Sequence, residues 1–227
     1  MTGHAQPVTD EIQTLQQAIA HHQIEGLSAE QLQQIDEYCR VLWDKNQKMN
    51  LTRHVDYDTF AARDIIDSVE LAAQLRSGEK VLDVGSGGGV PGIVLQILRP
   101  DLSVCLSDCV EKKSLALAEM VSHLKLQVPV FRDRAENVLS ATEFDTLVAR
   151  AVGPLWKILR WFENSWERFE RLLLIKGPAW VEERGEARHR GYLKGLQLRN
   201  VHNYKMPGRD SESSILMIWP TGKDAPS

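Results

Sequence analysis

Between residues 10 and 75, apolar side chains recur at threes and fours. Leu32, Ile35, Tyr38, Cys39, Leu42, Trp43 and Met49 place one apolar stripe on a long helix. Ser28 and Gln31 have the spacing of a capping box that opens it. A further helix is predicted over roughly 57–75, with Phe60, Ile65, Ile66, Val69, Leu71 and Leu75 on its buried side. From Lys80 the period changes. Short apolar runs at 81–85, 103–108, 128–133, 144–151 and 171–177 read as strands, with helix-like segments between them. PGIVLQILRP opens with Pro91, which a first helical turn accepts, and closes before Pro100. In EKKSLALAEMVSHLK, residues 111–125, Leu115, Leu117, Ala118, Val121 and Leu124 are the apolar positions. LQLRNVHNYKM and SSILMIWP read as a terminal pair of strands. Strand–helix alternation predicts an α/β protein, with a mostly parallel sheet covered by helices on both faces. The expected organisation is an N-terminal helical extension over 1–76 packed on the core, a main domain over 77–220 and a loose tail at 221–227.

Composition narrows the picture by exclusion. A formal net charge of −4 over 227 residues supplies no global basic field. Cys39, Cys105 and Cys109 are too few for a disulfide framework and lack further ligands at zinc spacing, so packing thiols and no metal are expected. MTGHAQPVTD has neither a charged n-region nor an apolar h-region, and no run approaches a membrane span, so the expected compartment is the cytoplasm. Trp156, Trp161 and Trp166, at or near helical spacing, are expected to pack within the core.

EKVLDVGSGGGVPG, residues 79–92, carries the chemistry. Five glycines fall within eight residues directly after the first strand. In a doubly wound sheet, ligands bind at the carboxyl ends of the strands, where this loop sits. Gly85, Gly87, Gly88 and Gly89 remove Cβ atoms that would keep a ligand from the backbone, and Val90 supplies an apolar wall. Two ligand classes fit. Gly87, Gly89 and Gly92 satisfy the dinucleotide pattern G-x-G-x-x-G. Asp83 followed by Gly85, Gly87 and Gly89 instead suits S-adenosylmethionine, whose amino-acid end is cationic and carries no phosphate for the acid to repel. Asp108, closing the second strand, can accept both hydroxyls of a ribose in either case. Ala135 and Glu136, after the third strand, are placed to flank an adenine ring.

MNLT (49–52), Arg63 with Asp67 and Ser68, DVGSGGGVPG (83–92), EKK (111–113), RAE (134–136), ARA (149–151) and IKG (175–177) occur in one order over about 45–180. In these motifs the chain resembles the bacterial ribosomal RNA small subunit methyltransferase G family, also called glucose-inhibited division protein B. The resemblance implies a Rossmann-like, S-adenosylmethionine-dependent fold on a seven-stranded sheet and methylation of N7 of a guanine in 16S ribosomal RNA. It implies cofactor contacts at Gly85, Val90, Ala135, Glu136 and Arg150. One position departs: the family's Arg-His pair is Arg63-Asp64 here, so that histidine's role does not carry over. His54, beside Arg53, is a candidate substitute.

Methylation at a purine ring nitrogen needs no general base, because the lone pair is available at neutral pH. The protein must align nucleophile, methyl and sulfur, with reacting atoms about 3–3.5 Å apart. Three residues are candidates for positioning the substrate: Arg150 at the end of strand four, Lys176 at the end of strand five, and Asn50, which also reads as a helix cap. From Arg184 to Arg209 there are seven Lys or Arg against one acid, Glu186, with Tyr192 and Tyr204 interleaved. Arg188, Arg190 and Lys194, with Arg53 and Arg63, form the expected RNA footprint of a monomer whose partner is 16S ribosomal RNA or the small ribosomal subunit. The rival readings are a methyltransferase with another nucleic-acid, small-molecule or protein substrate, an NAD-binding oxidoreductase, and a non-catalytic cofactor-binding module.

Overall fold

The computed structural model describes residues 12–208 and 212–226. The MTGHAQPVTD segment, Arg209 and Ser227 lie outside the described residues.

The N-terminal third is helical, as its period predicts. Helix α1, Leu15–His21, opens with a Thr14–Gln17 capping box, and α2, Ala29–Asn46, opens with the expected Ser28–Gln31 box. The Gln31 amide also donates to the carbonyls of Ile97 and Leu98 at 3.2 and 2.9 Å. One side chain therefore satisfies the start of α2 and the end of α5, Gly92–Leu98. The helix expected over 57–75 is interrupted. Helix α3, Tyr57–Phe60, passes through a π-helical turn, Ala61–Ile65, into α4, Ile66–Ala72. The wider turn shifts the face that follows it. Asp64, Asp67 and Ser68 thereby become buried alongside Ile65 and Leu71.

Seven strands form one sheet in the order β3-β2-β1-β4-β5-β7-β6. Strands β1 (Lys80–Val84), β2 (Ser103–Ser107), β3 (Val130–Phe131), β4 (Phe144–Arg150) and β5 (Phe169–Lys176) are mutually parallel. Strand β7, Glu212–Pro220, runs antiparallel between β5 and β6, Leu196–Lys205. The mostly parallel seven-stranded sheet thus stands. Only β3 falls short of its expected span over 128–133, because at the sheet edge two residues alone find partners on β2. Helices α6 (Glu111–His123), α7 (Ala135–Ala141), α8 (Leu155–Trp161) and α9 (Trp180–His189) complete the layers.

Each face of the sheet buries its own apolar cluster. One includes Ile35, Tyr38, Leu42, Phe60 and Ile65 from the N-terminal helices with Val81, Ile93, Val104 and Ile215. The other joins Leu82, Leu147, Leu172 and Leu174 to Leu155, Leu159 and Ala187. The N-terminal helices therefore share a core with the sheet. The expected tail begins tethered, with the Thr221 N–H donating to Gly195 O at 2.9 Å. Because β1, β2, β4 and β5 run in parallel, Val84, Ser107, Arg150 and Lys176 end on one rim.

Candidate active site

The glycine loop leaves β1 at this rim. The N–H groups of Gly85 and Ser86 donate to Ser107 O at 2.9 and 3.0 Å, which ties the loop to β2. Asp108 accepts from Gly87 N at 3.0 Å and from Val110 N at 2.8 Å. Tyr38, reaching from α2, donates its hydroxyl to Gly88 O at 2.7 Å. Burial and the Asp64 charge hold that phenol well above the ordinary tyrosine range, so it stays a donor.

Glycine serves packing at several of these positions. A Cβ at Gly92 would lie 2.3 Å from Leu106 Cδ2 and 2.6 Å from Asp83 Oδ2. At Gly89 it would meet Ile93 Cδ1 at 2.6 Å, and at Gly88 the Leu51 carbonyl at 3.1 Å. A Cβ at Gly85 would meet Val152 Cγ1 at 2.7 Å. Gly87 differs: its φ is +58°, and a Cβ there would find only Gly85 O, at 3.8 Å. The glycines needed to bring helix, strand and N-terminal extension together thus outnumber the one left open. The sequence reading gave Gly85, Gly87, Gly88 and Gly89 to a ligand, and this packing role is additional to it.

A cavity of about 330 Å³ opens beside Gly85. Asp108, Ala135 and Glu136 line it, together with Lys157 and Trp161 from α8. Its size falls within the range of small-molecule sites, and it sits at the carboxyl ends of parallel strands. Asp108, at β2, retains lone pairs to accept hydroxyl donors. Ala135 and Trp161 offer apolar surface for a ring. These residues fit the nucleoside half of S-adenosylmethionine. Lys157 and Trp161 were not singled out from the sequence. Trp161 read as a packing residue, and only the return of α8 across the sheet turns it to the cavity.

Asp83 requires correction. It is 1% exposed and lies beneath the loop, outside the cavity lining. Its Oδ2 accepts from Gly92 N at 3.1 Å, while Oδ1 is buried without a partner. Burial pushes its pKa up to about 6, against the hydrogen bonds and the Arg150 charge that lower it. Gly87, Gly89 and Val90 also lie outside the cavity lining. Val90 packs against the core shared with the N-terminal helices.

Arg150 is the second correction. Its Nη1 donates to Asp67 Oδ2 at 2.9 Å and its Nη2 to Asp64 Oδ1 at 2.5 Å. Burial opposes the guanidinium charge, but the two carboxylates outweigh it and raise its pKa. Both ends of the fork are committed, so the side chain braces the N-terminal helices against β4 and does not reach into the cavity. The network continues. Tyr204 donates to Asp67 Oδ1 at 2.5 Å, and His54 Nδ1 lies 2.6 Å from Asp64 Oδ2. His54 thus does stand beside the departing position, through Asp64. The acids are the signal that sequence reading underused: Asp64 and Asp67 interrupt an apolar helix face, where buried charge requires a partner.

Lys176 is similarly engaged, donating to Gly153 O at 2.6 Å and Glu183 Oε2 at 2.7 Å. Glu183 also accepts from Leu155 N at 2.7 Å. Together they anchor the β4–α8 loop, where Ala151 takes a left-handed φ of +57°. Asn50 is exposed and caps none of the described helices: Asp56 caps α3, accepting from Thr59 N at 2.7 Å, while Asn46 Oδ1 holds the intervening turn by accepting from Leu51 N and Thr52 N at 2.7 and 3.0 Å. Arg53 is exposed beside this turn, and Arg63 borders a separate hollow with His21, His22 and Pro207.

The expected RNA footprint is divided. Leu196 pairs with Pro220, whereas Lys176 pairs with Ser214, six residues along β7. At 3.2–3.4 Å per residue, the start of β6 is about 20 Å from the rim. Arg188 and Lys194 line a hollow with Leu196 and Leu198 and belong to that far end. Arg190 is occupied, paired with Glu186 at 2.6 Å and lying 4.1 Å over the Trp156 ring.

Residues 31–212 match the family described as rRNA small subunit methyltransferase G. The chain is 52% identical over 172 residues to the ribosomal RNA small subunit methyltransferase G of Rhodopirellula baltica, covering 76% of this chain and 74% of that one. Identity to the protein of that name from Chromobacterium violaceum is 31% over 205 residues, covering 90% and 95%. Among solved structures, a mutant of MtNAS in complex with S-adenosylmethionine aligns over 93% of this chain and 86% of that one, with 16% identity and a TM-score of 0.57. That likeness is one of fold. With the match running from within α2 through the glycine loop to the start of β7, this chain belongs to the rRNA small subunit methyltransferase G family.

Proposed function

We propose that this protein transfers a methyl group from S-adenosylmethionine to N7 of a guanine in 16S ribosomal RNA, acting as a monomer in the cytoplasm. The observation that carries this is the cavity at the strand carboxyl ends, bounded by Gly85, Asp108, Ala135 and Glu136, in a chain of this family. When bound, the cofactor supplies a sulfonium-activated methyl, so a purine ring nitrogen attacks with its own lone pair. The residues present have the tasks of binding and alignment. Asp108 accepts from the ribose hydroxyls, and Ala135 and Trp161 border the adenine. The exposed Gly85 lets the backbone approach, and the Arg150 network fixes the N-terminal helices as the neighbouring wall. Asn50 and Arg53, exposed on the segment packed over Gly88, face the acceptor. No nucleophile–base pair is needed. The cavity lining carries three carboxylates, Asp108, Asp133 and Glu136, against two cations, Arg134 and Lys157, so a dinucleotide is disfavoured by the family and not by charge.

The test is transfer of a radiolabelled methyl to deproteinised 16S ribosomal RNA, intact small subunits and protein, with nuclease mapping of the product. Label in 7-methylguanosine is the expected result. Label in protein alone, or tight binding of NAD in place of S-adenosylmethionine, would overturn the assignment.

A further inference from the structure

A second basic surface lies away from the cavity. Arg184 and Arg188, one helical turn apart on α9, and Lys194, in the turn before β6, line a hollow of about 310 Å³. Its other lining residues are Gly191, Leu193, Leu196, Gln197 and Leu198, so no carboxylate contributes. Among the described residues, none of the three cations has a carboxylate within ion-pair distance. Their neighbours differ: Arg190 is neutralised by Glu186, and Lys176 by Glu183. Like charges at i and i+4 disfavour a helix, so their persistence without an internal counter-charge points to an external one. In a chain of net charge −4, this concentration is local.

The shape selects the partner. Leu193, Leu196 and Leu198 are half-buried and packed on the core, so the hollow has no apolar anchor to enter a bilayer. It is concave and cationic, which suits a phosphodiester backbone. The hollow lies toward the amino ends of the strands, about 20 Å from the rim. A single nucleotide cannot occupy both places; a folded polynucleotide can.

We propose that Arg184, Arg188 and Lys194 form a remote phosphate-binding footing for the RNA whose target base enters the rim. This rests on the RNA-methyltransferase reading. The footing gives affinity without base readout, and it favours a large, structured substrate over a short fragment.

The experiment measures binding of deproteinised 16S ribosomal RNA and intact small subunits across a salt series. It compares wild type, the double variant R188Q/K194Q and Lys194→Glu. Calorimetry with S-adenosylmethionine verifies that each variant is folded. The double variant is expected to bind RNA about tenfold more weakly. Its log–log salt slope should fall by roughly 1.4–1.8, since each phosphate left without its cation removes about 0.7–0.9. Lys194→Glu is expected to weaken binding further. Unchanged RNA affinity and slope in both variants would overturn the footing. So would charge-dependent binding to phosphatidylserine vesicles that the variants lose while keeping RNA affinity. If wild type binds this RNA but methylates none of it, the enzymatic reading fails while the footing is still measured directly.

Discussion

The Tyr38 hydroxyl lies 2.7 Å from the Gly88 carbonyl and donates to it. A residue that sequence reading places in the apolar stripe of an N-terminal helix thereby holds the loop that borders the cavity. The donor is fully buried, so its hydroxyl has no solvent partner and the Gly88 carbonyl loses its brace when the bond is removed. Tyr38→Phe is expected to cost about 1–3 kcal/mol in urea unfolding. It should also weaken S-adenosylmethionine binding several-fold by calorimetry, because the loop loses its brace. Unchanged affinity in a destabilised variant would confine Tyr38 to packing.

Arg150 offers a sharper choice between support and substrate contact. Removing it leaves Asp64 and Asp67 buried without a cation. Arg150→Met is expected to lower stability by about 3–5 kcal/mol. Arg150→Lys should retain part of that stability, because one ammonium cannot reproduce both arms of the fork. A loss of kcat with no change in denaturation midpoint would return Arg150 to the substrate.

Gly87 is the loop glycine whose added Cβ meets open space but whose backbone is left-handed. Gly87→Ala is expected to cost roughly 1–2 kcal/mol from conformation alone. Gly87→Val adds the greater strain of a branched residue at a left-handed φ and is expected to weaken cofactor binding through the loop it distorts. Gly92→Ala tests the opposite case, since its Cβ would strike Leu106 and Asp83. It should damage folding more than Gly87→Ala does. Circular dichroism melts alongside calorimetry separate these effects.

Asp83 makes stability depend on pH. Its folded pKa is raised to about 6, above that of the unfolded chain. The folded state therefore binds the proton more tightly between about pH 4 and 6, and this group's contribution is lost as pH rises through that window. The loss amounts to up to about 3 kcal/mol, at 1.36 kcal/mol per pKa unit. In Asp83→Asn this pH-dependent loss is absent, so the variant gains on wild type from pH 4 to 7. Parallel stability profiles in urea would show that Asp83 remains ionised throughout.

The helical start, the strand–helix alternation and the glycine loop after β1 were legible because each is local. Period, capping spacing and glycine density need no knowledge of distant residues. The Ser28–Gln31 box and the position of Asp108 and Ala135 at the strand ends followed from that information alone. Partners were a different matter. Arg150 looked like a substrate ligand until the π-helical turn brought Asp64 and Asp67 to it, from 86 and 83 residues away. Asp83 looked like a cofactor ligand until Gly92 folded back over it.

By itself the sequence determined the class of fold, the family motifs and the rim on which a ligand would lie, because periodicity and chain order fix strand direction. Only the tertiary structure decided which charges are spent on one another and which are left for a partner. Buried ions must be neutralised across long sequence separations, and side-chain direction is set by packing. That is why Lys176 is committed inside the protein and Arg190 is paired on its surface, while Arg188 and Lys194 remain open at the far end of the sheet.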